Sequence, residues 1–321
     1  MTVLPMRLYL SKCLLFLFGC LWGGHMHLAG QPSAIIIDAD TGNSIDDLYA
    51  IAYLLQQAGS RVVALTAAHF NNPDLLSYRH WNGYSTKGIR TMKISYRLNK
   101  KLLRAAGCRH YVRCVPGASS MVGRAWGGSA PRPSAASRLI IEEAIKLNDD
   151  EKLHVIVTGP VTNVVSAIIE QPQIAHRLVV YAMGGDYDPK KGVWNKAEFN
   201  VRNDLNAFDY LLNSEVELHI MPESVARQLV FPKEETQQKL ARVGGKLSSC
   251  LSKRWQRLGE VEAWSMWDLA LAIAYMQPSL AREEEVFTPP ENRQRKVWVY
   301  TAIDAPAMKA AFWNSYLSPD N

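Results

Sequence analysis

Ala34-Ile35-Ile36-Ile37-Asp38-Ala39-Asp40-Thr41-Gly42-Asn43-Ser44-Ile45-Asp46-Asp47 sets the architecture of this chain. An apolar, β-branched run with no polar face reads as a strand covered on both sides, and the acids after it sit where such a strand ends. Helical periodicity takes over at Asp46 and predicts a helix over 46–57. The same unit recurs. Strands are expected at Arg61-Val62-Val63-Ala64-Leu65, Leu153-His154-Val155-Ile156-Val157, Leu178-Val179-Val180-Tyr181 and Val216-Glu217-Leu218-His219-Ile220, with helices over 134–147, 161–171, 204–212 and 267–275. Alternation of this kind predicts an α/β fold with a doubly wound, mostly parallel sheet. Two segments, 73–107 and 233–262, are rich in Lys, Arg, Leu and Gln and read as helical insertions on the sheet periphery. No internal repeat, low-complexity tract or Pro/Ser linker divides the chain, so a single domain over 31–321 is expected.

Composition agrees with a large buried core. The 321 residues are 48% hydrophobic and 21% charged, with 20 Gly and 16 Pro, which excludes collagen-like, disordered and polytopic membrane classes. Residues 1–30 stand apart. Arg7 and Lys12 precede Leu14-Leu15-Phe16-Leu17-Phe18, a run too short to span a bilayer and shaped like the apolar part of a secretory signal. The reading is export to a periplasmic or extracellular location. It proceeds either by cleavage within 24–30 or with a lipid anchor at Cys20, because Leu17-Phe18-Gly19-Cys20 loosely resembles a bacterial lipobox. Without Arg7 and Lys12 the formal charge of +6 becomes +4, from 34 cations against 30 anions, and no nucleic-acid partner is expected. Export leaves Cys108, Cys114 and Cys250, an odd number for an oxidising compartment. Either Cys108 and Cys114 pair or all three are buried free thiols; no spacing matches a zinc site.

The chemistry concentrates in residues 38–47. Asp38 and Asp40 point the same way off an extended chain, Gly42 permits a turn, and Asp46 and Asp47 open the helix. Four carboxylates packed this closely repel one another unless a cation sits among them, and an all-oxygen donor set suits Ca²⁺ or Mg²⁺. Helix capping by Asp46 and Asp47 would leave Asp38 and Asp40 unexplained. Four hydrophobic residues followed by Asp-x-Asp-Thr also resemble the nucleophile motif of haloacid dehalogenase-type phosphatases, with Asp186 and Asp188 as the later acidic pair, but that leaves Asp46 and Asp47 unused.

Other strand ends are polar too. Val157-Thr158-Gly159-Pro160-Val161-Thr162-Asn163 runs from strand through a turn into helix, Met183-Gly184-Gly185 is followed by Ala197-Glu198-Phe199-Asn200, and Trp267-Asp268 opens a late helix. With the acidic cluster, these five motifs lie in the order found in the nucleoside hydrolase family, the N-ribohydrolases of the inosine-uridine type, which this chain resembles over 38–268. The resemblance implies a Rossmann-like fold and calcium-dependent hydrolysis of the N-glycosidic bond of a small-molecule nucleoside. By carry-over, Asp40, Asp47, Asp268 and the backbone carbonyl of Thr158 would hold Ca²⁺, with Asp40 also the general base acting on the metal-bound water. Asp46, Glu198 and Asn200 would bind the ribose hydroxyls, and Asp38 would orient its neighbours. Homo-oligomers are common among related enzymes, and no interface signature is visible here.

The departures are informative. The Asp46-Asp47 pair stands two residues further from Asp40 than in the tightest family motif, so the intervening loop must bulge. A family asparagine before the Glu falls on Gly192, with Asn195 a candidate replacement, and another family asparagine is matched by Asn71 or Asn72. Members with broad or pyrimidine activity carry histidine just before the late Asp. Purine-preferring members resemble this chain in having tryptophan, here Trp267, where stacking can favour the protonated ring as leaving group. Trp126 is a candidate second stacking partner. His69 is an alternative leaving-group acid, while His154 and His219 read as sheet residues, and His80 and His110, in or after the first insertion, are weaker candidates for that acid. Two rivals stand beside the purine-preferring hydrolase: a non-catalytic calcium-dependent sugar or nucleoside binder, and a metal-dependent phosphatase.

Overall fold

The structure, a computed structural model, describes residues 34–71, 86–124, 127–256 and 258–317. The segment read as a leader, together with Cys20, Asn72, His80 and Trp126, lies outside the described residues. In chain order the elements are β1 (Ala34–Ala39), α1 (Asp46–Ala58), β2 (Val62–Ala67), α2 (Thr91–Ala105), β3 (Arg113–Pro116), α3 (Ala135–Lys146), β4 (Leu153–Val157), α4 (Thr162–Glu170) and β5 (Leu178–Met183). They continue with β6 (Asp186–Asp188), β7 (Val193–Asn195), α5 (Phe199–Asn203), α6 (Leu205–Asn213), β8 (Glu217–Met221), α7 (Glu223–Ala226), β9 (Val230–Pro232), α8 (Lys233–Val243) and α9 (Gly245–Trp255). The last are β10 (Ala263–Ser265), α10 (Trp267–Met276), β11 (Ala281–Phe287), β12 (Lys296–Ile303) and α11 (Ala305–Tyr316).

The main sheet has the order β11-β12-β8-β5-β4-β1-β2-β3. Every adjacent pair is parallel except β11 with β12. From β1 the chain proceeds outward to β2 and β3, then returns to β1's other side with β4. The topological switch point therefore lies between β1 and β4, where open α/β sheets place ligands at the strands' carboxyl ends. Strand alternation explains the two cores. Ile35 and Ile37 pack on the face covered by α1, α9, α10 and α11, and Ile36 on the face covered by α3, α4 and α6.

The described parts of both long excursions are largely helical, but neither is peripheral. Helix α2 is the crossover between parallel β2 and β3, and buries Leu102 and Leu103 in the first core. Helix α9 buries Leu251 and Trp255 there and reaches the functional end of the sheet. The reading from sequence alone omitted β3, β11, β12 and α11. Strand β11 carries Glu283-Glu284-Glu285 and is largely exposed, a charged edge of the kind that protects a sheet from further pairing and hides the strand's apolar signature. Cys108, Cys114 and Cys250 are free thiols.

One ionic network crosses the sheet away from the cleft. His219 Nδ1 lies 2.9 Å from Glu283 and its Nε2 3.4 Å from Glu217, which also binds Lys152 at 2.7 Å. The imidazole stacks on Tyr181 with centroids 4.3 Å apart. Burial acts to lower the His219 pKa, but its hydrogen bonds and attraction to Glu217 and Glu283 outweigh it, leaving a net rise above 6.5. The bond from His219 is the main reason that Glu217 is held down to about 2. A raised histidine contributes stability that is complete below its unfolded value of about 6.5 and lost as pH rises through the folded value. Thermal melts from pH 6 to 9 are expected to show a decline that His219→Gln removes. Its size is about 1 kcal/mol, given the half-exposed glutamates, or roughly 2–4 °C.

Candidate active site

Asp40 leaves β1 and enters a turn closed by the Asn43 amide on the Asp40 carbonyl at 2.9 Å. The longer loop anticipated between Asp40 and Asp46 is held from both sides. Thr41 Oγ1 bonds to Asn99 of α2, and the Gly42 amide donates to Ser95 Oγ at 3.4 Å. From the other side, Arg254 of α9 donates to the carbonyls of Gly42 and Ser44 at 3.4 and 3.3 Å, and Trp264 Nε1 donates to Ser44 Oγ at 3.2 Å. Gly42 is required by packing, since a Cβ there would lie 2.6 Å from the Phe70 ring.

Behind this loop, Asp38 accepts from Thr66 at 2.6 Å and from Asn163 at 2.9 Å. Burial raises its pKa to about 6 although both bonds oppose the shift. Asp38 does not line the cleft, and its partners fix the strand end that carries Asp40. Thr158 at the end of β4 donates its hydroxyl to Asp47 at 2.8 Å, and the Asp268 amide at the start of α10 donates to Asp46 at 3.1 Å. Gly159 lets β4 come this close: a Cβ there would meet Asp40 Cβ at 2.9 Å.

Asp46, Asp47 and Asp268 each present an oxygen within 4.8 Å of the others, all buried. Asp40 lines the same cleft but stands outside that triad, which instead includes Asp46, a residue the resemblance assigned to the sugar. Burial is the main reason that all four carboxyls titrate high; mutual repulsion adds to it at Asp40, Asp47 and Asp268. Asp40 Oδ2, Asp46 Oδ1 and Asp47 Oδ2 are buried without a hydrogen-bond donor. Such acceptors are costly unless something positive meets them, so the donor set fits a hard divalent cation.

Opposite the aspartates, Glu198 caps α5, accepting from the amides of Asn200, Val201 and Gly185 at 2.9, 3.1 and 3.1 Å. Burial nevertheless lifts its pKa to about 7. Asn200 donates its amide to the carbonyls of Thr158 and Met183, both at 3.1 Å, so it also ties the ends of β4 and β5 together. Trp267 forms a further wall, edge-to-face with Trp264 at 5.9 Å between centroids, and its buried Nε1 has no partner.

The cleft encloses about 720 Å³ and brings together Asp40, Asp46, Asp47, Thr158, Glu198, Asn200, Trp267 and Asp268. Three expected residues are elsewhere. Asn71 accepts from Thr86 at 2.8 Å, and Asn195 caps the approach to α5 by accepting from the Ala197 amide at 2.9 Å; neither lines the cleft. His69 is buried against Thr162 at 3.0 Å, with its pKa lowered to about 4 by burial, and it too is absent from the cleft wall. Asp186 and Asp188 belong to the β6–β7 hairpin, away from the cluster that a phosphatase reading would need. Conversely, Arg254, Trp264, Leu258 and Glu223 line the cleft and were not anticipated. A Trp three residues before Trp267 was a visible hint; nothing local marks Arg254.

A doubly wound sheet that gathers buried carboxylates at its switch point, faced by polar groups and an indole wall, defines an α/β protein built for a cation and a small ligand with hydroxyl and ring parts. The chain belongs to the inosine-uridine preferring nucleoside hydrolase family, whose family model matches residues 35–310. The non-specific ribonucleoside hydrolase RihC of Salmonella schwarzengrund is 26% identical over 196 residues, which span 59% of this chain and 62% of that relative. A plant nucleoside hydrolase has a similar structure, with a TM-score of 0.65 at 17% identity over 90% of this chain and all of that one. The purine-preferring ribonucleoside hydrolase from Gardnerella vaginalis gives 0.62 at 17% identity, covering 88% of this chain and 98% of that one. At these identities the structural likeness is one of fold.

Proposed function

We propose that this chain is an exported, calcium-dependent nucleoside hydrolase that cleaves the N-glycosidic bond of purine ribonucleosides to ribose and free base. The observation that carries the reading is the convergence in one cleft of the aspartates, of Glu198 with Asn200, and of Trp267. Asp47 and Asp268, with the Thr158 carbonyl and either Asp40 or Asp46, would hold the Ca²⁺. When bound, that cation lowers the pKa of a coordinated water.

The chain's own residues do the rest. Asp40 takes a proton from the attacking water, a reading supported by its buried carboxyl oxygen that has no donor. Glu198 and Asn200 bind sugar hydroxyls, and anionic carboxylates beneath the ring stabilise the positive charge that develops as the glycosidic bond breaks. Trp267 stacks on the base. Among the described residues no histidine lines the cleft to protonate a leaving group, which favours purines, whose ring can itself be protonated.

The test is ribose release from inosine, guanosine, adenosine and uridine. Inosine or guanosine is expected to lead. Trp267→Ala is expected to lower purine kcat/KM roughly 5- to 150-fold, the span of about 1–3 kcal/mol for loss of one stacked base, and to lower uridine turnover less. Equal use of uridine removes the purine preference. Tight binding of inosine without turnover identifies a non-catalytic binder.

A further inference from the structure

Two stretches of the sequence, 75–141 and 236–259, contain no Asp or Glu. Together they hold nineteen of the chain's 36 Lys and Arg, so the remainder is net negative and the basic excess is local. The fold places these stretches side by side, because α2 and α9 pack against each other. Between them runs a groove lined by Lys101, Arg104, Lys246 and Lys253, with Ser249 and Cys250 and no acid. Lys93 and Arg97 extend the row along α2 at helical spacing. All six cations are exposed, and no ion pair among the described residues involves them.

The orientation of this face matters. Helix α2 starts at the carboxyl ends of the strands, where Thr91 accepts from the Phe70 amide, and descends to their amino ends before β3. Lys101 and Arg104 thus lie toward the end of the sheet at which β1 begins. Arg113 at the start of β3 pairs with Ala64, which pairs with Ile36, so β3 begins level with the third residue of β1, two strands or about 10 Å away. The cleft opens at the opposite end.

We propose that the α2–α9 face docks on an anionic lipid bilayer, leaving the substrate cleft open beside the contact. Clustered Lys and Arg are attracted to anionic headgroups without insertion, and no helix among the described residues is long and apolar enough to cross a membrane. Single-stranded nucleic acid, the other polyanion, is bound by basic grooves with exposed stacking rings. Here the Tyr96 ring is covered by the Lys100 ammonium at 4.8 Å, and Tyr111 is the only large exposed aromatic beside the groove among the described residues. The apolar run 14–18 and Cys20, read above as a leader with an acylation site, precede Ala34 closely. The 13 residues between Cys20 and Ala34 reach at most about 45 Å, so an anchor there would hold the basic end of the molecule near a bilayer.

The test uses residues 31–321, the domain that follows the leader, so that neither the apolar run 14–18 nor an acyl chain contributes. Partition is measured onto vesicles of phosphatidylcholine alone and of phosphatidylcholine with about 30% phosphatidylglycerol, where headgroup charge sets the attraction. Wild-type protein is expected on the anionic vesicles only, with release at high salt. The variant Lys101→Glu/Arg104→Glu/Lys246→Glu/Lys253→Glu is expected to lose more than about 100-fold in partition, at roughly fivefold per cation, with nucleoside hydrolysis and melting temperature unchanged. Should it fold poorly, Lys101→Gln/Lys246→Gln is expected to lose about 25-fold on the same scale. Equal binding to neutral vesicles, or partition unaffected by either variant, overturns the proposal. So does tighter binding to a single-stranded oligonucleotide than to anionic vesicles at matched salt.

Discussion

Replacing Asp40 by asparagine is expected to lower kcat for inosine about a thousandfold, the middle of the range for loss of a general base, while KM stays within a few-fold. The same change is expected to raise the melting temperature of the cation-free protein by a few degrees. Asp40 is buried with one unpartnered oxygen and feels repulsion from Asp47, Asp46, Glu198 and Asp38. An amide of the same shape keeps the packing against Gly159 and removes one of the opposed charges. A gain in stability with a loss of turnover separates a residue kept for chemistry from one kept for folding. Activity within tenfold of wild type would show that another group accepts the proton.

The second large effect concerns the cation. Saturating Ca²⁺ is expected to raise the melting temperature of chelator-treated protein by roughly 5–10 °C. This follows from about 2.7 kcal/mol at a hundredfold excess over Kd and about 2–4 °C per kcal/mol for a chain near this size. Ribose release should vanish in chelator and return with Ca²⁺. Asp47→Ala and Asp268→Ala are expected to abolish both the shift and the rescue, because each removes one corner of the converging triad. Asp186→Ala, in the β6–β7 hairpin, is expected to leave both intact. A chain that melts and turns over identically with and without chelator would show that the buried aspartates hold protons instead.

Much of the centre of the molecule was legible in the sequence. Local patterns report what short-range physics determines: two-sided burial makes β1, β2, β4 and β5 mostly apolar, and the acids at the end of β1 have no structural excuse for lying so close together. What escaped depends on distant partners. Asn71 and Asn195 have the right chemistry for a sugar, yet Thr86 and the Ala197 amide engage them outside the cleft. His69 follows β2 at the functional end but turns toward Thr162. Arg254 sits in a basic helix that looks solvated, and only the fold shows it buried against a loop 210 residues upstream. Strand β11 was missed because it is a charged edge, whereas helix α11 was missed although Met308, Phe312 and Tyr316 recur at helical spacing and pack in the first core.

The clasp of Arg254 on the loop after Asp40, and the bond from the Asp268 amide to Asp46, join positions more than 200 residues apart. At ordinary rates of synthesis, roughly ten to fifty seconds pass between the appearance of Asp40 and that of Asp268. Through that interval the nascent chain carries an acidic loop with neither its clasp nor the third corner of its triad, and closing so long a loop is slow. Cation capture by this triad would therefore come late, as a signal that the carboxyl-terminal half has arrived, and fragments ending before α10 should be unable to mimic it.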